Sequence, residues 1–198
     1  DMKLKHCPKY SFSVIILLLA LNVVLLSACG STVPPKQPQK IITFDSVVNE
    51  ILSTPEEKIN LRKYVVLLSK ATDPYVNMDI ELRRFENMAG ALQPRIKGLT
   101  ELKDIVKVIN TYLFEEMHFR GPPIENMKQI EFDHKFIPTV LGTKQGDCVS
   151  LGLIYLCLAE YLGIPVYGVN VPHHFFLRCD DGKTQINIDP INKGENLT

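Results

Sequence analysis

The sequence has almost no surplus of charge: 22 Lys and Arg stand against 22 Asp and Glu over 198 residues. No run of like charge is longer than two or three residues, so no charged interaction tail is present. The balance also excludes the basic face that a nucleic-acid partner requires. Cysteine is scarce as well. The five cysteines are irregularly spaced and form neither a CxxC pair nor the even ladder of a disulfide-stapled domain. No internal repeat, no metal-ligand spacing and no cofactor fingerprint can be found, so the expectation is no cofactor and no metal. What is plentiful is apolar residues, 45% of the chain, enough for one buried core in a chain of this length.

The first residues read as an address. Lys3, Lys5 and Lys9 make a positive start, Ser11 to Leu26 an apolar run, and Leu26-Ser27-Ala28-Cys29 a small-residue ending. The chain opens Asp1-Met2, and Met2 is the expected natural start. The apolar run is shorter than the ~20 residues of a spanning helix, although a plain N-terminal membrane anchor remains the alternative. Leu-Ser-Ala-Cys resembles the lipobox of bacterial lipoproteins. That resemblance implies cleavage before Cys29, a diacylglycerol on its sulfur, and a lipid-anchored protein of the cell envelope, at the outer membrane if the cell has one. Residues 1–28 are then signal peptide. Residues 29–42, with Pro34, Pro35 and Pro38, are a lipidated extended tether, and 43–198 are the domain. Loss of Lys3, Lys5, Lys9 and Asp1 leaves 19 basic and 21 acidic residues, a net charge near −2.

Residues 43–116 carry helical periodicity. Thr54-Pro55-Glu56-Glu57 reads as a helix start, followed by the apolar stripe Ile59, Tyr64, Val65, Leu67 and Leu68. A second helix is expected within Asn77–Leu92 and a third after Thr100, with Leu102, Ile105, Val106, Ile109, Tyr112 and Leu113 on one face. Residues 117–147 read as loop, with a short apolar stretch at Phe136–Leu141. A helix is expected from Cys148 to Leu162, stopped by Gly163 and Pro165. The β-like runs Val166–Val171, His174–Cys179 and Thr184–Asp189 follow. The fold class is therefore α+β, a helical N-terminal half followed by a cysteine-bearing helix and a small antiparallel sheet. Asp181-Gly182 suggests a two-residue hairpin turn, which would set Leu177 opposite Ile186 and His174 opposite Asp189.

Three residues in this frame could do chemistry. Cys148 opens a helix, where free N–H groups and the helix dipole favour an anion and lower a thiol pKa. Asp147 before it either opposes the thiolate or is spent as the helix N-cap. His174 heads a strand and could hold the thiol proton; Asp189 ends the next strand and could orient the imidazole. Cys157 lies about 900° around the helix from Cys148, on its far side. It belongs to the core, with a Cys157–Cys179 disulfide as an alternative.

Gly146-Asp147-Cys148-Val149-Ser150-Leu151, Ile154-Tyr155-Leu156, Leu162-Gly163-Ile164-Pro165, Gly168-Val169, His174-Phe175 and Ile188-Asp189-Pro190 together resemble the transglutaminase-like superfamily. The branch most resembled often precedes tetratricopeptide repeats in bacteria. The resemblance implies a papain-like core with Cys148 as nucleophile, His174 as base and Asp189 as orienting acid. It also implies cysteine-dependent hydrolysis or transfer of an amide or ester acyl group, on a peptide or protein substrate. Part of the branch lacks the cysteine, so a non-catalytic binding or scaffold module is the second reading. A zinc site on Cys148, His174 and Asp189 is the third. This chain departs from the branch at His173, where glycine is usual. It ends at Thr198, soon after the aspartate, and is expected to be a piece of something longer.

The lipobox pattern generates one test. Cys29→Ala removes the attachment point, so a metabolic fatty-acid probe should label the parent chain and not the variant. Continued labelling of Cys29→Ala would refute the lipobox.

Overall fold

The computed structural model describes residues 42–122 and 135–196. Cys29, the signal segment and the tether lie outside the described residues.

Four helical segments precede the cysteine helix, then a fifth, short one. Helix α1 spans Phe44–Ser53, with a Thr43–Ser46 capping box, and α2 spans Leu61–Thr72. Helix α3 spans Met78–Ile96, and α4 spans Leu102–Asn110 and runs on as a π-helical turn, Thr111–Glu116. The short helix α5 spans Ile137–Thr143 and α6 spans Cys148–Leu162. The α+β class is as expected. Two local readings are corrected. Thr54–Lys58 is not a helix start, because Thr54 caps the end of α1 and Glu56–Lys58 make a single 3-10 turn. The N-cap of α2 is Asn60, whose side chain accepts from the Lys63 N–H at 3.0 Å. The apolar stretch at Phe136–Leu141, read as part of a loop, belongs to α5, and it buries Ile137, Val140 and Leu141. Its periodicity is too short to declare itself.

Helix α6 is buried on nearly every side, from Ser150 to Ala159. It packs on α2, α3 and α5 and, across its other flank, on the sheet. Leu61 N–H donates to both oxygens of Glu160 at 3.1 and 3.0 Å, so a carboxylate near the end of α6 caps the start of α2. Gly163, left-handed at φ 71°, ends α6 as expected.

The sheet is antiparallel in the order β1 (Val166–Val171), β2 (His174–Asp180) and β3 (Gln185–Ile188). Pro172-His173 form a two-residue turn between β1 and β2, with Val171 opposite His174. His173 is left-handed at φ 64°, which explains why glycine suits this position. The β2–β3 register differs from the expected one. Leu177 faces Ile188, not Ile186, and Asp180 faces Gln185. The turn is wider because the Asp181 carboxylate takes the N–H groups of Lys183 and Thr184, at 2.9 and 2.7 Å, and holds four residues in the loop. The slip is of two residues, so the faces are unchanged. Phe175, Leu177, Cys179 and Ile188 are buried against α6, while His174, Phe176 and Arg178 look the other way. Cys157 and Cys179 are both buried and both free, so the disulfide alternative is not formed.

One contact sets the distance between α6 and the sheet. A Cβ on Gly152 of α6 would lie 2.6 Å from Phe175 Cε1, and one on Gly168 of β1 would lie 2.7 Å from Phe175 Cζ. The ring is thus held between two backbones that lack side chains. Gly152→Ala should add about 1 kcal/mol of helix preference and yet destabilise, because overpacking a closed core costs about 1–3 kcal/mol. A lower denaturant midpoint with unchanged slope is expected; a raised midpoint would show that the ring has room to move.

Candidate active site

The backbone ladder explains how a helix packed on one face of the sheet reaches a histidine on the other. Even-numbered residues of β2 bond toward β1, as Asp180 N–H does to Pro165 O at 2.9 Å. Odd-numbered ones bond toward β3, as Asp181 N–H does to Thr184 O at 3.3 Å. Phe175 N–H therefore points to the β3 side, where residue 190 would have to stand opposite it. The ladder stops short of that position. Strand β3 ends at Ile188, and Asp189 N–H turns away to Glu195 O at 3.0 Å. The Cys148 thiol lies near enough to Phe175 N–H for it to favour the thiolate, as do the N–H groups of Val149 and of Cys148 itself. The first turn of α6 thus approaches the end of the sheet at the residue that follows His174.

Asp147 is the N-cap of α6, with its Oδ1 accepting from the Ser150 N–H at 2.8 Å. Of the two roles the sequence left open, the cap is filled, though the carboxylate still works against a thiolate. The expected low thiol pKa is not found. Burial pushes the Cys148 thiol up, Phe175 N–H pulls it down by less, and Asp147 raises it further. The half-buried thiol is accordingly protonated at neutral pH.

His174 Nε2 and Asp189 Oδ2 are 3.4 Å apart, with side-chain exposures of 30% and 4%. The pairing is diagonal, because the two-residue slip continues the register to set Asp189 opposite Phe176 and not His174. The carboxylate is held by two bonds, Oδ1 accepting from Ile191 N–H at 3.1 Å and Oδ2 from Asn192 Nδ2 at 2.8 Å, and the backbone carbonyl of Asp189 accepts from Gly194 N–H at 2.7 Å. Asn110, where α4 becomes the π-helical turn, donates to Gly194 O at 2.9 Å. Gly194 is left-handed at φ 79°, and its missing side chain is what lets Asn110 in. Sequence reading missed Asn192 and Asn110. Asn192 lies three residues after Asp189, a spacing typical of turn-bound Asx residues; Asn110 carries no local signal.

The stretch before the cysteine is braced too. Arg120 N–H donates to Lys144 O at 2.9 Å and Gly146 N–H to Arg120 O at 3.2 Å. Gly121 sits against Ile191, in the loop that carries Asp189. One strand-like segment so ties the cysteine loop to the aspartate loop. Among the described residues no group of three or more His, Cys, Asp or Glu has a metal-holding arrangement, so Cys148, His174 and Asp189 do not form the zinc site considered above.

A family model described as transglutaminase-like superfamily matches residues 81–198, more than half of the chain and all of the site just built. The chain belongs to the transglutaminase-like superfamily. It is 31% identical over 163 residues to F-box only protein 21 of Homo sapiens, covering 78% of this chain and 22% of that protein. It is 25% identical over 153 residues to a UPF0162 protein of Xylella fastidiosa, covering 75% of this chain and 52% of that one. The UPF0162 protein BU173 of Buchnera aphidicola is 30% identical over 126 residues, 52% of this chain and 46% of that protein. The chain thus spans about half, or less, of the curated relatives it matches. No solved structure matches it.

The raised thiol has a measurable consequence. Iodoacetamide labelling of Cys148 should rise with a midpoint above the ~8.5 of a free cysteine. A midpoint below that value would mean that the helix N-terminus and Phe175 N–H outweigh burial.

Proposed function

We propose that the domain performs cysteine-dependent acyl chemistry, with Cys148 as nucleophile, His174 as base and Asp189 as the acid that orients it. The observation that supports this reading is that the start of α6 meets Phe175 N–H, one residue from His174, whose Nε2 lies 3.4 Å from Asp189 Oδ2.

The protonated thiol shapes the mechanism. His174 takes the thiol proton as Sγ bonds to the carbonyl carbon of an amide or ester, instead of resting as an imidazolium–thiolate pair. Asp189, held by Asn192 and the Ile191 N–H, fixes the ring and stabilises the charged imidazolium that forms. In this mechanism the free N–H groups at the start of α6 would stabilise the oxyanion that develops on the carbonyl oxygen. His174 then returns the proton to the leaving amine or alcohol as its bond to carbon breaks, leaving a thioester. Water or an amine attacks the thioester, passes its proton through His174, and restores the thiol. Water is the default acceptor, which favours hydrolysis over cross-linking.

The second reading, a non-catalytic module on the same fold, draws support from the raised thiol pKa. For both readings the proposed setting is the cell envelope, with the domain held by lipid on Cys29. Among the described residues no helix is long and apolar enough to cross a membrane.

The test uses a thiol-reactive acyl probe on the full chain. His174→Ala should reduce Cys148 acylation by about 10²–10⁴, while His173→Gly should leave most of it, since glycine relieves the left-handed backbone there. Equal rates in the parent chain and His174→Ala would leave the module as the surviving reading.

A further inference from the structure

The face of the sheet that carries His174 continues past it. Phe176 follows on the same side, with its ring 6.5 Å from that of His174 and inclined by 27°. Arg178 is next, with its guanidinium carbon 5.9 Å from the Phe176 centroid. Arg178 is held in place: its Nε donates to Asn187 Oδ1 of β3 at 2.9 Å. Arg178 is half-buried as a residue, and among the described residues it forms no ion pair within 4 Å. One carboxylate on that face, Asp180, feels the arginine's charge, yet its oxygens are taken by Gly182 N–H at 2.8 Å and by Gln185 Nε2 at 2.8 Å. A surface arginine with no function normally extends into water. This one is oriented by an amide and laid beside an aromatic ring, and among the described residues its other N–H donors make no hydrogen bond. Such a planar fork suits two carboxylate oxygens at once.

We propose that Arg178, supported by Asn187 and Phe176, is a carboxylate-binding subsite, and that the site takes an acidic peptide-like chain. Four residues of strand separate His174 from Arg178, about 13 Å. The recognised carboxylate therefore lies about four extended residues from the attacked carbonyl, with the intervening segment lying over Phe176. This rests on the catalytic reading for which carbonyl is attacked, but binding is measurable without catalysis.

The experiment uses the full chain carrying Cys148→Ala, which cannot turn over. Two dye-labelled nine-residue peptides are compared by fluorescence anisotropy at low salt. Both have a central Gln; one has Glu four residues to each side of it, and the other has Gln at those positions. A charged hydrogen-bonded pair contributes about 1.5–3 kcal/mol, so the acidic peptide should bind at least about tenfold more tightly. Arg178→Gln should abolish that preference and Arg178→Lys should keep part of it, with both variants melting at the parent temperature. Equal binding of the two peptides, no binding of either, or a preference that survives Arg178→Gln would overturn the subsite. If Arg178→Gln fails to fold, Asn187→Ala, which frees the guanidinium, should lower the preference, and an unchanged preference would overturn the proposal. The catalytic reading fails separately, through the acyl probe on Cys148, and its failure would leave the peptide preference intact.

Discussion

The site depends on where one aromatic ring sits. Phe175 is 2% exposed and lies between the bare backbones of Gly152 and Gly168. Burial of a side chain this size stabilises by about 1.5–3 kcal/mol, but its main consequence is geometric. The ring draws β2 onto α6 at van der Waals distance, so that the Phe175 N–H, on the same residue, meets the first turn of α6. His174, one residue away, must then project to the opposite face. The alternation of a strand thus places the thiol at the edge, the imidazole on one face and the packing ring on the other, within two successive residues.

A second constraint is the early end of β3. Had the strand continued to residue 190, its ladder would have occupied Phe175 N–H. Proline at 190 and the Asp189–Glu195 bond end it instead. The same turn folds Asn192 and Gly194 back around Asp189, which makes the carboxylate the most tightly held member of the three. Breaking the ladder both frees Phe175 N–H and fixes the acid. The electrostatics at Cys148 are mixed, since burial and Asp147 hold the proton on Cys148 while three N–H groups favour its loss. That balance suits a nucleophile activated as it reacts better than one permanently charged.

Much of this could be read in the sequence. The bounds of α6 and the existence of the three strands follow from apolar patterning, Gly163 and Pro165. The shared face of His174 and Asp189 was legible because parity survives a register shift of two. The register itself was not. Asp-Gly at 181–182 signals a tight turn, but the Asp181 carboxylate has two further N–H groups to bind and opens the loop to four residues. The stretch 117–147 was read as loop, which hid α5 and the Arg120 segment that braces both site loops. Its bonds are backbone bonds to distant partners and leave no pattern in side-chain type.

By itself, then, the sequence determined which residues are candidates for chemistry and on which faces of the sheet His174 and Asp189 lie, because side-chain period and local turn chemistry are properties of neighbours along the chain. Only the tertiary structure decided how a helix on one face reaches the backbone beside a histidine on the other, what holds Asp189, and that burial raises the Cys148 thiol pKa. Each of those depends on groups brought together from afar: Phe175 against Gly152, Asn110 against Gly194, and a thiol closed in by a sheet edge. Distance along the chain says nothing about desolvation or about which N–H is left without a ladder partner.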